Sequence, residues 1–240
     1  MLIHLDSSTR EFYTAEDFTV CFGAPVEMTG RQYEVALIKA TVWYAWFNIA
    51  SYLSNNSFKY FNGRLWKDVE IPDGNYSLDE LNKFIHRTLE QNGDESDLIT
   101  FTPNYSTLKL IITLKPNVQI NLTFGTLHEI LGFDKEILTQ TKEGSKTVDI
   151  TRGVNSVLIH CNLISSSYNN GVASDILYSF LPDKPPGNLL DISPNTPIYL
   201  PINEINQIKN IRMRITDQQN RLVRLNGEHV TYLLHLRSVA

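Results

Sequence analysis

Val230-Thr231-Tyr232-Leu233-Leu234-His235-Leu236-Arg237 is the stretch that decides the fold class. Val230, Tyr232, Leu234 and Leu236 fall on one side of a period-two repeat, and Thr231, Leu233, His235 and Arg237 on the other. Side chains that alternate across the chain, with one side apolar, mark a β-strand with one face in a core. The same period recurs upstream. Ile211, Met213 and Ile215 alternate with Arg212, Arg214 and Thr216. Val157, Ile159, Cys161 and Leu163 oppose Leu158, His160 and Asn162. In 107–124, Leu108, Leu110, Ile112 and Leu114 share a face, Lys115-Pro116-Asn117 turns the chain, and Val118, Ile120, Leu122 and Phe124 resume the alternation. That segment reads as a hairpin. Glu34–Val42 is apolar on both faces, as a central or interface strand would be.

Two segments break the period. Ser77-Leu78-Asp79-Glu80 is a capping box, followed by Leu81, Phe84, Ile85 and Leu89 at helical spacing and by Gly93. Thr126-Leu127-His128-Glu129 opens a shorter helix that stops at Gly132. Long strands with two short helices in the connections predict an all-β sandwich or barrel. Polar connections at 51–57, 91–97, 139–147, 165–173, 183–197 and 217–228 lack the character of a linker, so a single domain over 1–240 is expected.

The 240 residues carry 21 Lys and Arg against 26 Asp and Glu, a net charge of −5. With 42% apolar and 20% charged residues the chain is globular rather than disordered. The acidic balance argues against nucleic acid as the main partner. No apolar run approaches the ~18 residues of a membrane span. Met1–Asp6 has neither a basic start nor a long apolar stretch, so no signal peptide is expected. Cys21 and Cys161 are too few and too far apart for a disulfide framework or a metal knuckle.

Catalytic chemistry leaves little trace. The histidines are His4, His86, His128, His160, His229 and His235, and none forms a helical metalloprotease pair. His160 and His235 sit on the polar faces of their strands and read as solvated or interface residues. There is no nucleophile elbow and no phosphate-binding glycine loop. Cys161 lies on an apolar face and reads as a core residue. No catalytic residue, metal ligand or cofactor is assigned.

Two surface features stand out. Trp43-Tyr44-Ala45-Trp46-Phe47 cannot all enter one core from a strand. The cluster is either an aromatic corner closing the barrel end or a protein contact. Segment 207–237 carries Lys209, Arg212, Arg214, Arg221, Arg224 and Arg237 against Asp217 and Glu228, a solvated face or one that meets an acidic neighbour.

The order of several stretches resembles the penton, or minor capsid, proteins of Polinton/Maverick elements and adintoviruses. They are Leu5–Ser8, Tyr33–Leu37, Trp43–Ile49, Ile71–Tyr76, Leu131–Phe133, Asp149–Gly153, Leu158–Ile164, Ile215–Asp217 and Val230–Arg237. The resemblance implies a single jelly roll that forms a homopentamer at the vertices of an icosahedral virion capsid. It also implies a double jelly-roll major capsid protein as neighbour. A host surface receptor is a further expected partner, with no membrane and no sequence-specific nucleic acid. Such a protein would be a non-enzymatic viral structural protein made inside the host cell. Asn162 stands where the family has aspartate, and no Arg-Gly-Asp is present. The alternative is a secreted or surface jelly-roll module that binds a sugar or receptor.

A ring needs two complementary patches on each subunit. Trp43, Tyr44, Trp46, Phe47, Arg212 and Arg214 are the expected contact residues, with the two arginines bridging to carboxylates of the next subunit. Tyr168, Asn169, Asn170 and Gly171 are expected at the tip of an exposed, mobile loop.

Overall fold

A computed structural model of the chain describes residues 1–9, 14–28, 32–150, 154–203 and 206–239. Thr151, Arg152 and Gly153, part of one family-like stretch, lie outside the described residues. Eight strands build a sandwich: β1 (Leu2–Asp6), β2 (Asp17–Glu27), β3 (Gln32–Trp43), β4 (Val157–Cys161), β5 (Ile176–Phe180), β6 (Leu189–Ile192), β7 (Gln207–Asp217) and β8 (Val230–Val239). One sheet runs β1-β8-β3-β6 and the other β5-β4-β7-β2. Every pairing is antiparallel, and Leu200–Pro201 adds a short pairing on β3. The chain changes sheet at every step except β4 to β5. That winding is the eight-stranded jelly roll.

The two inner faces share one core. Val35, Leu37, Tyr232 and Leu234 come from one sheet, and Phe18, Ile159, Met213 and Ile215 from the other. Phe18 and Tyr232 stack at a centroid distance of 6.1 Å. β3 is central, as its apolar run suggests, but it does not present two apolar faces. Leu233 pairs with Lys39 and Leu234 with Leu37, so Ile38 is an extra, bulged residue. The bulge steps the alternation by one. Val35, Leu37, Ala40 and Val42 therefore all enter the same core, while Lys39 is exposed and Thr41 half-buried. The expected surplus of apolar surface is mostly this phase step.

The sequence reading expects one domain over 1–240; the fold gathers into two compact units, Met1–Trp46 with Val154–Ala240, and Phe47–Gly153. The second unit is an insert between β3 and β4 with a core of its own. Its four-stranded sheet runs Trp66–Glu70, Ser57–Phe61, Gln119–Asn121, Ile137–Leu138, and its three-stranded sheet Lys142–Glu143, Lys109–Leu114, Ile99–Asn104. The expected 107–124 hairpin is therefore not paired with itself. Lys109–Leu114 pairs with Ile99–Asn104, and Gln119–Asn121 with Ser57–Phe61. The turn at Asn117 (φ 63°) passes the chain from one sheet to the other. Alternation identifies the buried side of a strand, not its partner. Leu110, Ile112, Ile120 and Leu122 are buried as expected. Leu108, in a turn at φ 57°, and Phe124, beyond its strand, are exposed.

Helices α1 (Leu78–Gln91) and α2 (Leu127–Leu131) both belong to the insert. In α1 the Glu80 amide donates to Ser77 Oγ and the Ser77 amide to Glu80 Oε2, a cap worth about 1 kcal/mol. Leu81, Ile85 and Leu89 face the core. Asn48 closes the base of the insert. Its Nδ2 donates to Tyr76 O at 2.8 Å and to Ile150 O at 2.7 Å, and its Oδ1 accepts from the Tyr76 amide at 2.9 Å. Three of the family-like stretches thus meet at one side chain.

Candidate functional site: the expected contact surface and a sealed polar cluster

The aromatic run divides its members between surface and core. Trp43 ends β3, is 39% exposed, and sits opposite Leu189, itself 38% exposed. Two apolar side chains thus stand together on the outer side of the sheet edge. Tyr44 and Trp46 stack at 4.1 Å, and Trp46 is only 4% exposed, inside the sandwich core. Tyr44 is half-buried; burial raises its phenol pKa. The turn that carries it is fixed by Tyr44 N donating to Asn188 O, Gly187 N to Tyr44 O, and Asn226 Nδ2 to Ala45 O. Phe47 begins the insert, half-buried.

The two arginines have partners within their own chain. Arg212 donates through Nε and Nη2 to both oxygens of Asp17, at 2.7 and 2.6 Å. Arg214 Nη2 lies 3.3 Å from Asp175 Oδ1. Within the chain, β2 and the segment before β5 thus supply a carboxylate to each arginine.

The reading of His160 is corrected. It is 1% exposed, not solvated, because both faces of β4 are covered. Nδ1 lies 2.6 Å from Asp175 Oδ1 and Nε2 2.8 Å from Thr216 Oγ1. The hydrogen bond with His160 is the main influence holding the Asp175 carboxyl below the usual carboxylate range; burial opposes it, and the charges of His160 and Arg214 assist. Hydroxyl, imidazole and carboxylate in line are the parts of an acyl-transfer relay. Thr216 is completely buried, however, and its hydroxyl also lies 3.1 Å from Asp217 O. A substrate carbonyl has no approach to it. The cluster instead fastens β4, β7 and the start of β5 together. Cys161, next along β4, faces the core, where burial pushes its thiol pKa up to about 12 and leaves it a poor nucleophile. His235 is half-buried, with Nδ1 2.7 Å from Tyr199 Oη.

Sequence reasoning gave Asp175 no role and took Asp217 only as a counter-charge of the basic segment. Asp217 is 3% exposed and accepts from the amides of Gln219 and Arg221 and from Arg221 Nε. The readable signal was an aspartate at a strand end followed by a polar turn and an arginine four residues on.

The expected loop at 165–174 is a β-hairpin. Ser167–Asn169 pairs with Val172–Ser174, and Asn170 (φ 50°) and Gly171 (φ 81°) make the turn. Two consecutive positive φ values are the type I′ geometry for which Asn-Gly is the favoured sequence. Tyr168 is 72% exposed at the hairpin and Asn170 and Gly171 are exposed; Asn169 is half-buried and reaches Asn220 Oδ1 at 3.3 Å. Among the described residues, no group of three or more His, Cys, Asp or Glu side chains is placed to hold a metal ion. No described helix is long and apolar enough to cross a membrane.

Among solved structures, the chain is similar to the mavirus penton protein, covering 100% of both chains at 12% identity and a TM-score of 0.50. It also aligns with a chain of the Sputnik virophage structure, over 98% of this chain and 97% of that one, at 12% identity and a TM-score of 0.41. The first likeness shows a shared fold. No protein-family model matches the chain, and no curated protein matches it in sequence.

Proposed function

We propose that the chain is a structural capsid protein, the pentameric vertex subunit of an icosahedral Polinton/Maverick-type particle. The observation that carries this reading is the likeness to the mavirus penton protein over the full length of both chains, insert as well as sandwich. The sealed His160–Thr216 cluster agrees with a scaffold rather than an enzyme. On this reading the partners are other copies of the chain and a double jelly-roll major capsid protein, and the place of action is the virion. Trp43, Tyr44 and Phe47 supply apolar contact area, and the Arg212–Asp17 pair a charged rim that sets register more than affinity. Trp46 acts from the core, by holding Tyr44. A secreted sugar- or receptor-binding module is the less supported alternative.

Sedimentation of the purified protein tests the assembly. A particle of five times the 27.4 kDa chain mass is expected. A chain that stays monomeric at high micromolar concentration, alone and with the major capsid protein, would overturn the reading.

A further inference from the structure

The outer face of the insert's four-stranded sheet carries features that the capsid reading does not use. The edge strand Trp66–Glu70 pairs with Ser57–Phe61 so that Phe61 faces Trp66, Lys59 faces Asp68 and Ser57 faces Glu70. These three rungs share the solvent side, since the intervening Phe58, Tyr60 and Val69 are buried. A groove of about 380 Å³ lies on the last two rungs, lined by Lys59, Asp68 and Glu70 and walled by Phe124. That volume falls in the range of small-ligand sites. Phe124 is 46% exposed. Beyond Asp68, the next rung is an aromatic platform, Phe61 and Trp66 with centroids 5.6 Å apart and Trp66 43% exposed.

We propose that this groove and platform bind a neutral oligosaccharide. Four residues of strand separate the first rung from the last, roughly 13 Å, the length of a short glycan. Sugar rings offer C–H faces to aromatic rings and hydroxyls to polar groups, and the face supplies both in sequence: Trp66 and Phe61, then Lys59 and Asp68, then Glu70 and Phe124. Charge selects the ligand class. The Lys59 ammonium is already held 2.9 Å from Asp68 and 5.4 Å from the Phe124 ring centroid. Lys59, Asp68 and Glu70 sum to a formal charge of −1, which favours a neutral ligand over phosphate, nucleic acid or an acidic sugar. A protein partner fits less well, because interface centres are depleted of charge and here charges occupy the middle rung. The proposal stands independently of the capsid reading.

The test is calorimetry and saturation-transfer NMR on the full chain with chitotriose, maltotriose and mannotriose, and sialyllactose as the acidic comparison. Binding of at least one neutral trisaccharide in the millimolar range or tighter is expected. Trp66→Ala and Phe124→Ala should each weaken it by about tenfold. Neither side chain belongs to the buried core of the insert, so both variants keep the wild-type circular dichroism. The proposal is overturned if no neutral trisaccharide binds, if sialyllactose binds best, or if neither substitution weakens binding. It is equally overturned if Trp66→Ala dissociates an oligomer, which would make the face a contact between copies.

Discussion

Tyr232 and Tyr60 are both fully buried, and their hydroxyls should respond in opposite ways to removal. The Tyr232 hydroxyl sits in the sandwich core with no hydrogen-bond partner among the described residues. Burying a hydroxyl without a partner costs about 1–3 kcal/mol. Tyr232→Phe deletes that cost and keeps the ring stacked on Phe18. The void left by one oxygen offsets part of the gain, so the net expectation is stabilisation by about 1 kcal/mol. Tyr60 Oη instead lies 2.6 Å from Asp94 Oδ2 and accepts from Asn92 Nδ2 at 3.1 Å. Desolvation, then the bond to Asp94, pushes its phenol pKa up to about 12. Tyr60→Phe removes a hydrogen bond to a carboxylate and should destabilise by about 1.5–3 kcal/mol. Urea unfolding of both variants gives the comparison as shifts of midpoint at constant slope. If Tyr232→Phe loses stability as Tyr60→Phe does, the reasoning about the unpartnered hydroxyl is refuted.

Trp46→Ala should cost about 3–5 kcal/mol by opening the core, whereas Trp43→Ala should leave the fold intact and weaken self-association; circular dichroism and sedimentation separate the two. Gly132→Ala should cost about 2–4 kcal/mol, since φ is +75° and a Cβ would lie 2.4 Å from Lys146 O; thermal unfolding reads it. Asp175 has a folded pKa below its ordinary value, so its stabilising effect is complete above that ordinary value and fades as pH falls through the lower folded one. Asp175→Asn should therefore be less stable than the wild type at neutral pH and converge on it under acid, in parallel denaturation series.

Much of the sandwich was legible because each strand carries its own burial pattern. β7 and β8 alternate cleanly, and α1 announces itself through Ser77 and Glu80. What stayed hidden depends on partners distant in sequence. The bulge at Ile38 exists only in the register between β3 and β8, so the sequence of β3 alone reads as two-faced. Leu114 and Val118 flank a turn and look paired, yet their strands join different sheets. His160 looked solvated because Asp175 and Thr216, which enclose it, lie 15 and 56 residues away. The Asn170-Gly171 turn is the exception: its hairpin signal was local, and its polar surroundings masked it.

The insert has a bearing on how the sandwich forms. β3 must find its place in the sheets while the chain to β4 runs through about a hundred intervening residues. Closing a flexible loop of that length costs roughly 4 kcal/mol in chain entropy, before any constant. Asn48 and Ile150, within hydrogen-bond reach of each other, shorten that loop to about a dozen residues once the insert has folded. The insert has local pairings and a capped helix, so it is suited to fold first. In kinetic terms it works as a staple: it shortens the longest connection between consecutive strands of the sandwich and should raise the sandwich's folding rate. Substituting Asn48 should then slow refolding more than it speeds unfolding, the mark of a contact already made in the transition state.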